Sequence, residues 1–312
     1  LIYGIFGGFA QNFAYSACLS NTIRFFPDKK GLASGLITGG MGGAAIIAAP
    51  IANALIERYG VSQAFWRMGL AYALVGFFFS LFIRSAPKQI VPQTAATSEK
   101  APTKAITANK NWKEMLATPS FYLLILMFAM GAFSGLMIAS NASLIGQSMF
   151  GLSASAAAAY VSLYSLSNTS GRVFWGAVSD RIGQIRAVII IYSAIIFAFV
   201  LLVSVNQVWA FAVGIVTLGL CFGGVMGVFP GLVMDNFGPA NQGVNYGIVF
   251  IGFSSAAFVA PKVTASLAAA NNGDFTKAFY VAIAVVLIGL GLSLVYAKRK
   301  ADAVEAAVET IQ

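Results

Sequence analysis

An arginine inside an otherwise uncharged stretch carries the first chemical signal of this chain. Arg172 lies within Tyr160–Ser179 (YVSLYSLSNTSGRVFWGAVS), which reads as a membrane-spanning helix. A guanidinium cannot shed its proton, and exposing it to lipid costs from about 3 kcal/mol upward, so such a residue faces a cavity, a partner or an anionic ligand. Tyr164, Asn168 and Arg172 recur at four-residue intervals, which sets a phenol, an amide and a guanidinium on one helical face. The chemistry this implies is recognition of a small anion.

The elements that must hold these groups are apolar helices. The 312 residues are 59% hydrophobic and 9% charged, with a mean hydropathy of +0.82, whereas a soluble domain carries roughly a quarter charged residues. Runs of about 20 residues, the length that crosses about 30 Å of hydrocarbon, fall near 1–24, 32–56, 65–84, 120–147, 155–178, 185–205, 207–233, 243–269 and 276–297. The fold class is therefore all-α, a polytopic membrane bundle with nine helices. The formal charge of +9 sits in loops rather than on a basic stripe with interleaved aromatics, which argues against a nucleic-acid partner and for a lipid bilayer. No histidine occurs, and Cys18 and Cys221 both lie in apolar runs. That excludes histidine-based catalysis, leaves no nucleophile, base and metal constellation, and gives no cofactor or metal site; an enzyme is not expected.

The polar stretch 85–118 has no apolar periodicity and reads as a linker between a first bundle, 1–84, and a second, 119–297, with 298–312 as a tail. If the linker is cytoplasmic, Arg24, Lys29, Lys30, Arg84, the linker lysines, Arg181, Arg186, Lys298, Arg299 and Lys300 share its side, and Arg58, Arg67 and Lys277 lie opposite, in keeping with the positive-inside rule. The linker and C-terminus are thus expected in the cytoplasm and the protein in the inner (plasma) membrane. Three helices precede the linker and six follow, and Leu1 stands inside an apolar run. The expectation is a six-plus-six plan with nine of twelve helices present, the chain being truncated at its N-terminus.

An internal repeat agrees. With Gly31 set against Gly243, the segment from Phe25 to Ile46 parallels that from Phe237 to Phe258 without gaps, matching Phe25/Phe237, Gly35/Gly247, Gly40/Gly252 and Ala44–Ala45/Ala256–Ala257. Same-direction repeats in two halves imply a pseudo-twofold axis along the membrane normal. Two glycine series at intervals of four, Gly31/Gly35/Gly39/Gly43 and Gly219/Gly223/Gly227, predict close helix packing.

Gly176-AVS-Asp180-Arg181-Ile-Gly183, leaving the fifth helix, resembles the G-x-x-x-D-R-x-G loop of the major facilitator superfamily, with Gln184 where a second basic residue often stands. Gly176, Asp180 and Arg181 are the gating candidates. The aspartate can cap a helix or pair with a base on the opposite bundle, as a latch that opens in one conformation. Ser20-Asn21-TIRF-Phe26-Pro27-DKK-Gly31, Asn168-TS-Gly171-Arg172, Val228-Phe229-Pro230 and Asn245-Tyr246-Gly247 are similar to segments of the oxalate/formate antiporter family over essentially the whole chain. The resemblance implies a major facilitator fold and a transporter in which Arg172 binds a substrate carboxylate. Helical spacing sets Asn168 and Tyr164 beside it, and Asn12 and Tyr15, polar groups at mid-membrane that need a partner, are expected to contribute from the other bundle.

Oxalate-selective members are expected to place a lysine about two turns beyond this N-Y-G, where the chain reads Ile251-Gly252-Phe253. A dianion on Arg172 alone would keep one uncompensated charge, whereas a monoanion is neutralised. The expected substrate is accordingly a monocarboxylate of the lactate, pyruvate or formate class. A dicarboxylate exchanger, the first alternative, requires Lys262 to reach the site; a membrane sensor that binds the anion without moving it is the second. Tyr15, Phe133, Tyr164, Phe222 and Phe253 are candidates for aromatic walls. All ten carboxylates fall in loops, linker or tail, which leaves protons as a partner only through other segments, a loop-edge carboxylate or the substrate itself, with exchange free of protons as the remaining choice.

Overall fold

The computed structural model describes residues 6–86 and 109–309, and every regular element in them is helical. Helix α1 (Gly8–Phe25) is followed by a 3-10 turn (Pro27–Lys29) and α2 (Lys30–Ser80), then α3 (Trp112–Leu116), α4 (Pro119–Phe150), α5 (Ala154–Ile182), α6 (Gln184–Ser204), α7 (Val208–Phe237), α8 (Gln242–Ala269) and α9 (Thr276–Glu309). Six of these are long and apolar enough to cross a membrane: the α2 region, α4, α6, α7, α8 and α9. Helix α5 has the length, but its serines, Asn168, Thr169 and Arg172 dilute its hydropathy.

The expected second and third helices, 32–56 and 65–84, are the two arms of α2. Gly60 breaks it with φ 76° and ψ 165°, a left-handed backbone that only glycine adopts without strain. The second arm returns toward the end of α1, where Asn21 donates to Arg84 O and accepts from Ala86 N. Arg67 stacks on Tyr59 at the tip, 3.4 Å from its ring centroid. With the arms taken separately, the described residues hold the nine long helices that the hydropathy predicts.

Two boundaries differ from expectation. Most of the linker, 87–108, lies outside the described residues, but 109–118 is not irregular. Asn111 and Glu114 form a reciprocal capping box that starts α3. Lys110 N donates to Phe237 O, and Lys110 O accepts from Asn241 and Asn245, so this end is bound to the turn between α7 and α8. Helix α9 also continues past residue 297 to Glu309, through most of the expected tail.

Glycine decides how closely α5 is held. A methyl group on Gly31 would stand 2.3 Å from Gly176 O, and one on Gly35 2.3 Å from Arg172 O. Gly39 faces Val173, and Gly43 faces Thr169. From α7, Gly219 meets Tyr164 O, Gly223 meets Asn168 O at 2.0 Å and Gly227 meets Arg172 O at 2.5 Å. The glycine stripes of α2 and α7 thus press backbone to backbone on adjoining flanks of α5, as small residues allow where lipid offers no hydrophobic drive for association.

Candidate functional site

Arg172 projects from this sandwiched helix into the seam between α5 and α2. Its Nη1 donates to Thr38 O at 2.5 Å, and its Nε donates to Asn168 Oδ1 at 3.2 Å. Gly42 lies under the guanidinium, where a side chain would come within 3.0 Å of Cζ. Thr38 itself is fully buried and turns its hydroxyl onto Ser34 O and Gly35 O. A charge buried against one backbone carbonyl and one amide oxygen retains unused N–H groups, which is the electrostatic condition for holding an anion.

Around it stand polar atoms short of partners. Asn168 Nδ2 is buried without a hydrogen-bond partner, and Tyr15 Oη and Tyr246 Oη are buried with none beyond each other. Tyr15 and Tyr246 are close enough to Arg172 and to each other to interact electrostatically. The groups come from three helices: Tyr15 from α1, Asn168 and Arg172 from α5, and Tyr246 from α8.

An aromatic tract floors the site. Tyr15 meets Tyr246 at 6.5 Å and Phe250 at 6.2 Å between ring centroids. Phe250 meets Phe253 at 4.8 Å, and Phe253 lies nearly parallel to Phe222 at 6.3 Å. Phe128 packs behind, against Phe229, Tyr246, Phe250 and Phe253.

The sequence candidates divide accordingly. Arg172, Asn168 and Tyr15 are brought together, and Phe222 and Phe253 join the aromatic tract. Tyr164 is buried beside them, but its hydroxyl is committed to Gly135 O at 2.7 Å, and Phe133 is core. Asn12 is exposed and satisfies its amide on Gly8 O, one turn back in its own helix. Lys262 is not brought to Arg172: sixteen residues along α8 from Tyr246, about 24 Å at helical rise, it is exposed with Nζ 3.6 Å from the Phe258 ring centroid. Tyr246 and Thr38 were missed. The first stands in the quoted N-Y-G motif, whereas the second contributes only a main-chain oxygen.

At the linker end of the same seam, Asp180 accepts from Gly31 N and Leu32 N, each at 2.8 Å, and so caps the N-terminus of α2. Gly176 allows the approach, and Arg181 is exposed. Lys30 pairs with Asp235 of α7. Both carboxylates sit in the last turns of their own helices, where the helix dipole disfavours them, and α2 supplies the compensating amides and ammonium. Arg24 donates to Pro239 O and Ala240 O, and Ser16 donates to Gly243 O. The α2–α5 contact runs from here to Gly43 and Thr169; farther along, Ile47 and Ile51 are exposed.

This arrangement, with a same-direction repeat and a basic site in the seam between its halves, agrees with a family match. The model of the Major Facilitator Superfamily matches residues 1–261 and again 150–310. The chain belongs to the major facilitator superfamily. It is similar to two curated proteins of that kind. One is the uncharacterized MFS-type transporter YhjX of Escherichia coli strain K12, 33% identical over 252 residues, 80% of this chain and 60% of the relative. The other is the oxalate:formate antiporter of Oxalobacter formigenes, 27% identical over 288 residues, 92% of this chain and 66% of the relative. The chain thus spans less than two thirds of the length of either. As a member of the superfamily, with six described spans, it is an integral membrane protein.

Proposed function

We propose that the protein is a secondary transporter that carries a small monocarboxylate, of the lactate, pyruvate or formate class, across the membrane by alternating access. The observation that carries this reading is the donor set around Arg172: one fixed positive charge, beside the unpartnered Asn168 Nδ2 and the Tyr15–Tyr246 hydroxyl pair, and walled by aromatic rings. One carboxylate neutralises that charge. A second carboxylate would stay unpaired, because Lys262 points away on an exposed face.

Movement follows from the same contacts. Arg172 of the second half donates to Thr38 of the first, so an anion that takes hold of the guanidinium competes with a bond across the seam. Asp180 at α2 and Lys30 at Asp235 close the linker end, and both contacts join the halves. Weakening the Arg172 tether and separating these latches lets α2 rock on its glycine track. The bundle boundaries, 1–84 and 119–297, belong to this reading, as do a cytoplasmic linker end and the inner membrane as location.

A second reading, exchange of oxalate against a monocarboxylate, is favoured by the 27% identity to an oxalate:formate antiporter. Competition decides between them. Uptake of labelled pyruvate into proteoliposomes, with the protein expressed from its native gene, should be inhibited by formate, lactate and pyruvate far better than by oxalate or malonate. Oxalate as the best competitor would establish the second reading instead.

A further inference from the structure

Two phenols are left over from the packing of this bundle. The other deeply buried tyrosines have hydroxyl partners: Tyr164 on Gly135 O, Tyr192 on Met127 O and Tyr296 on Asn236 Oδ1. Tyr246 is only 2% exposed, yet its hydroxyl and that of Tyr15 have no partner beyond each other. Two facing hydroxyls hold two O–H donors but share at most one bond, so one buried donor is left without an acceptor, which is unfavourable. Both lie within electrostatic reach of Arg172 and come from opposite halves of the chain, Tyr15 from α1 and Tyr246 from α8.

A carboxylate offers two oxygens and about four acceptor positions. Arg172 already spends Nε on Asn168 and one Nη1 bond on Thr38. Its remaining N–H groups can take one carboxylate oxygen and leave the second to be met by other donors. The phenols are those donors, and the tilted rings, 6.5 Å apart at their centroids, keep their apolar faces on Phe250.

We propose that Tyr246 is a substrate-binding residue that, with Tyr15, donates to the carboxylate oxygen not held by Arg172. The proposal rests on the transport reading above and adds a residue to it. Its consequence is selectivity for a deprotonated carboxylate: a neutral amide brings no charge for Arg172, and an ester lacks the second anionic oxygen. The bound anion also joins α1 to α5 and α8, so that the two halves close on the ligand itself.

The test compares Tyr246→Phe and Tyr15→Phe with the unaltered protein, all expressed from the native gene and reconstituted in proteoliposomes. Phenylalanine keeps the ring packing and removes one donor. The KM for labelled formate and for pyruvate should rise about tenfold or more in each variant, the scale of one hydrogen bond to a charged group, with the maximal rate largely kept. Stabilisation of the detergent-solubilised protein by formate, read as a shift in Tm, should shrink in parallel. Unchanged KM in both variants, beside lost uptake in Arg172→Lys, would overturn the role of the phenols and leave the transport reading standing. No carboxylate uptake by the unaltered protein would overturn both. If Tyr246→Phe does not fold, the formate-induced Tm shift of Tyr15→Phe decides: a full shift overturns the proposal, and a diminished one supports it.

Discussion

Gly35 of α2 and Arg172 of α5 meet backbone to backbone: a methyl group on Gly35 would stand 2.3 Å from the Arg172 carbonyl oxygen. A methyl group on Gly227 of α7 would stand 2.5 Å from the same oxygen. The backbone of Arg172 is therefore fixed by two bare helix surfaces, and its guanidinium is positioned by the main-chain oxygen of Thr38 together with the side-chain oxygen of Asn168.

Gly35→Val should separate α2 from α5 and destabilise the protein by about 1–3 kcal/mol, the usual range for overpacking. Gly40, one turn further on the exposed face with open space around it, supplies the contrast: Gly40→Ala should leave stability unchanged. Thermal unfolding in detergent measures both.

Asp180→Ala should remove the cap on α2 and loosen the linker end. A lost cap is worth about 1–2 kcal/mol. Ser34, fully buried just inside this closure, reports on it: in a Ser34→Cys background the thiol should react faster with a water-soluble maleimide when Asp180 is replaced. Equal rates would mean that Asp180 does not hold the seam shut.

Tyr164→Phe should lower stability by about 1 kcal/mol through the lost bond to Gly135 O, with the KM for pyruvate unchanged. Its hydroxyl is bound to main chain, whereas that of Tyr246 has no partner beyond Tyr15. A raised KM would show that Tyr164 turns toward the substrate.

Lys262→Gln should have no effect on uptake or on competition by oxalate, because the ammonium lies on an exposed face over Phe258. Loss of oxalate binding in this variant would bring Lys262 into the site.

Much of this arrangement was legible in the residues. Charge against an apolar background singled out Arg172, four-residue periodicity put Asn168 beside it, glycine spacing announced the two tracks along α5, and the loop motif placed Asp180 at a helix end. What was not legible is of two kinds. Contacts made by main chain leave no residue signature, as with Thr38 O beneath Arg172 and Lys110 O beneath Asn241 and Asn245. Partnerships between distant segments are equally silent: Lys30 and Asp235 are 205 residues apart, and Tyr15 and Tyr246 are 231 apart by their numbers. Asn12 failed for a local reason, since an asparagine can bond the carbonyl one turn back in its own helix and then needs no partner elsewhere. The α3 capping box was present in the letters Asn111 and Glu114 but hidden by the polar composition around it.

The central claim is that Arg172 binds the transported carboxylate, and the direct measurement is initial uptake of labelled pyruvate by the native-gene protein and its Arg172→Lys variant at matched reconstitution. Lysine keeps the positive charge and loses the planar fork that engages a carboxylate through two parallel hydrogen bonds. The account predicts that uptake falls at least tenfold, the equivalent of about 1.4 kcal/mol, while expression and thermal unfolding stay close to those of the unaltered protein. Undiminished pyruvate uptake by Arg172→Lys would contradict it.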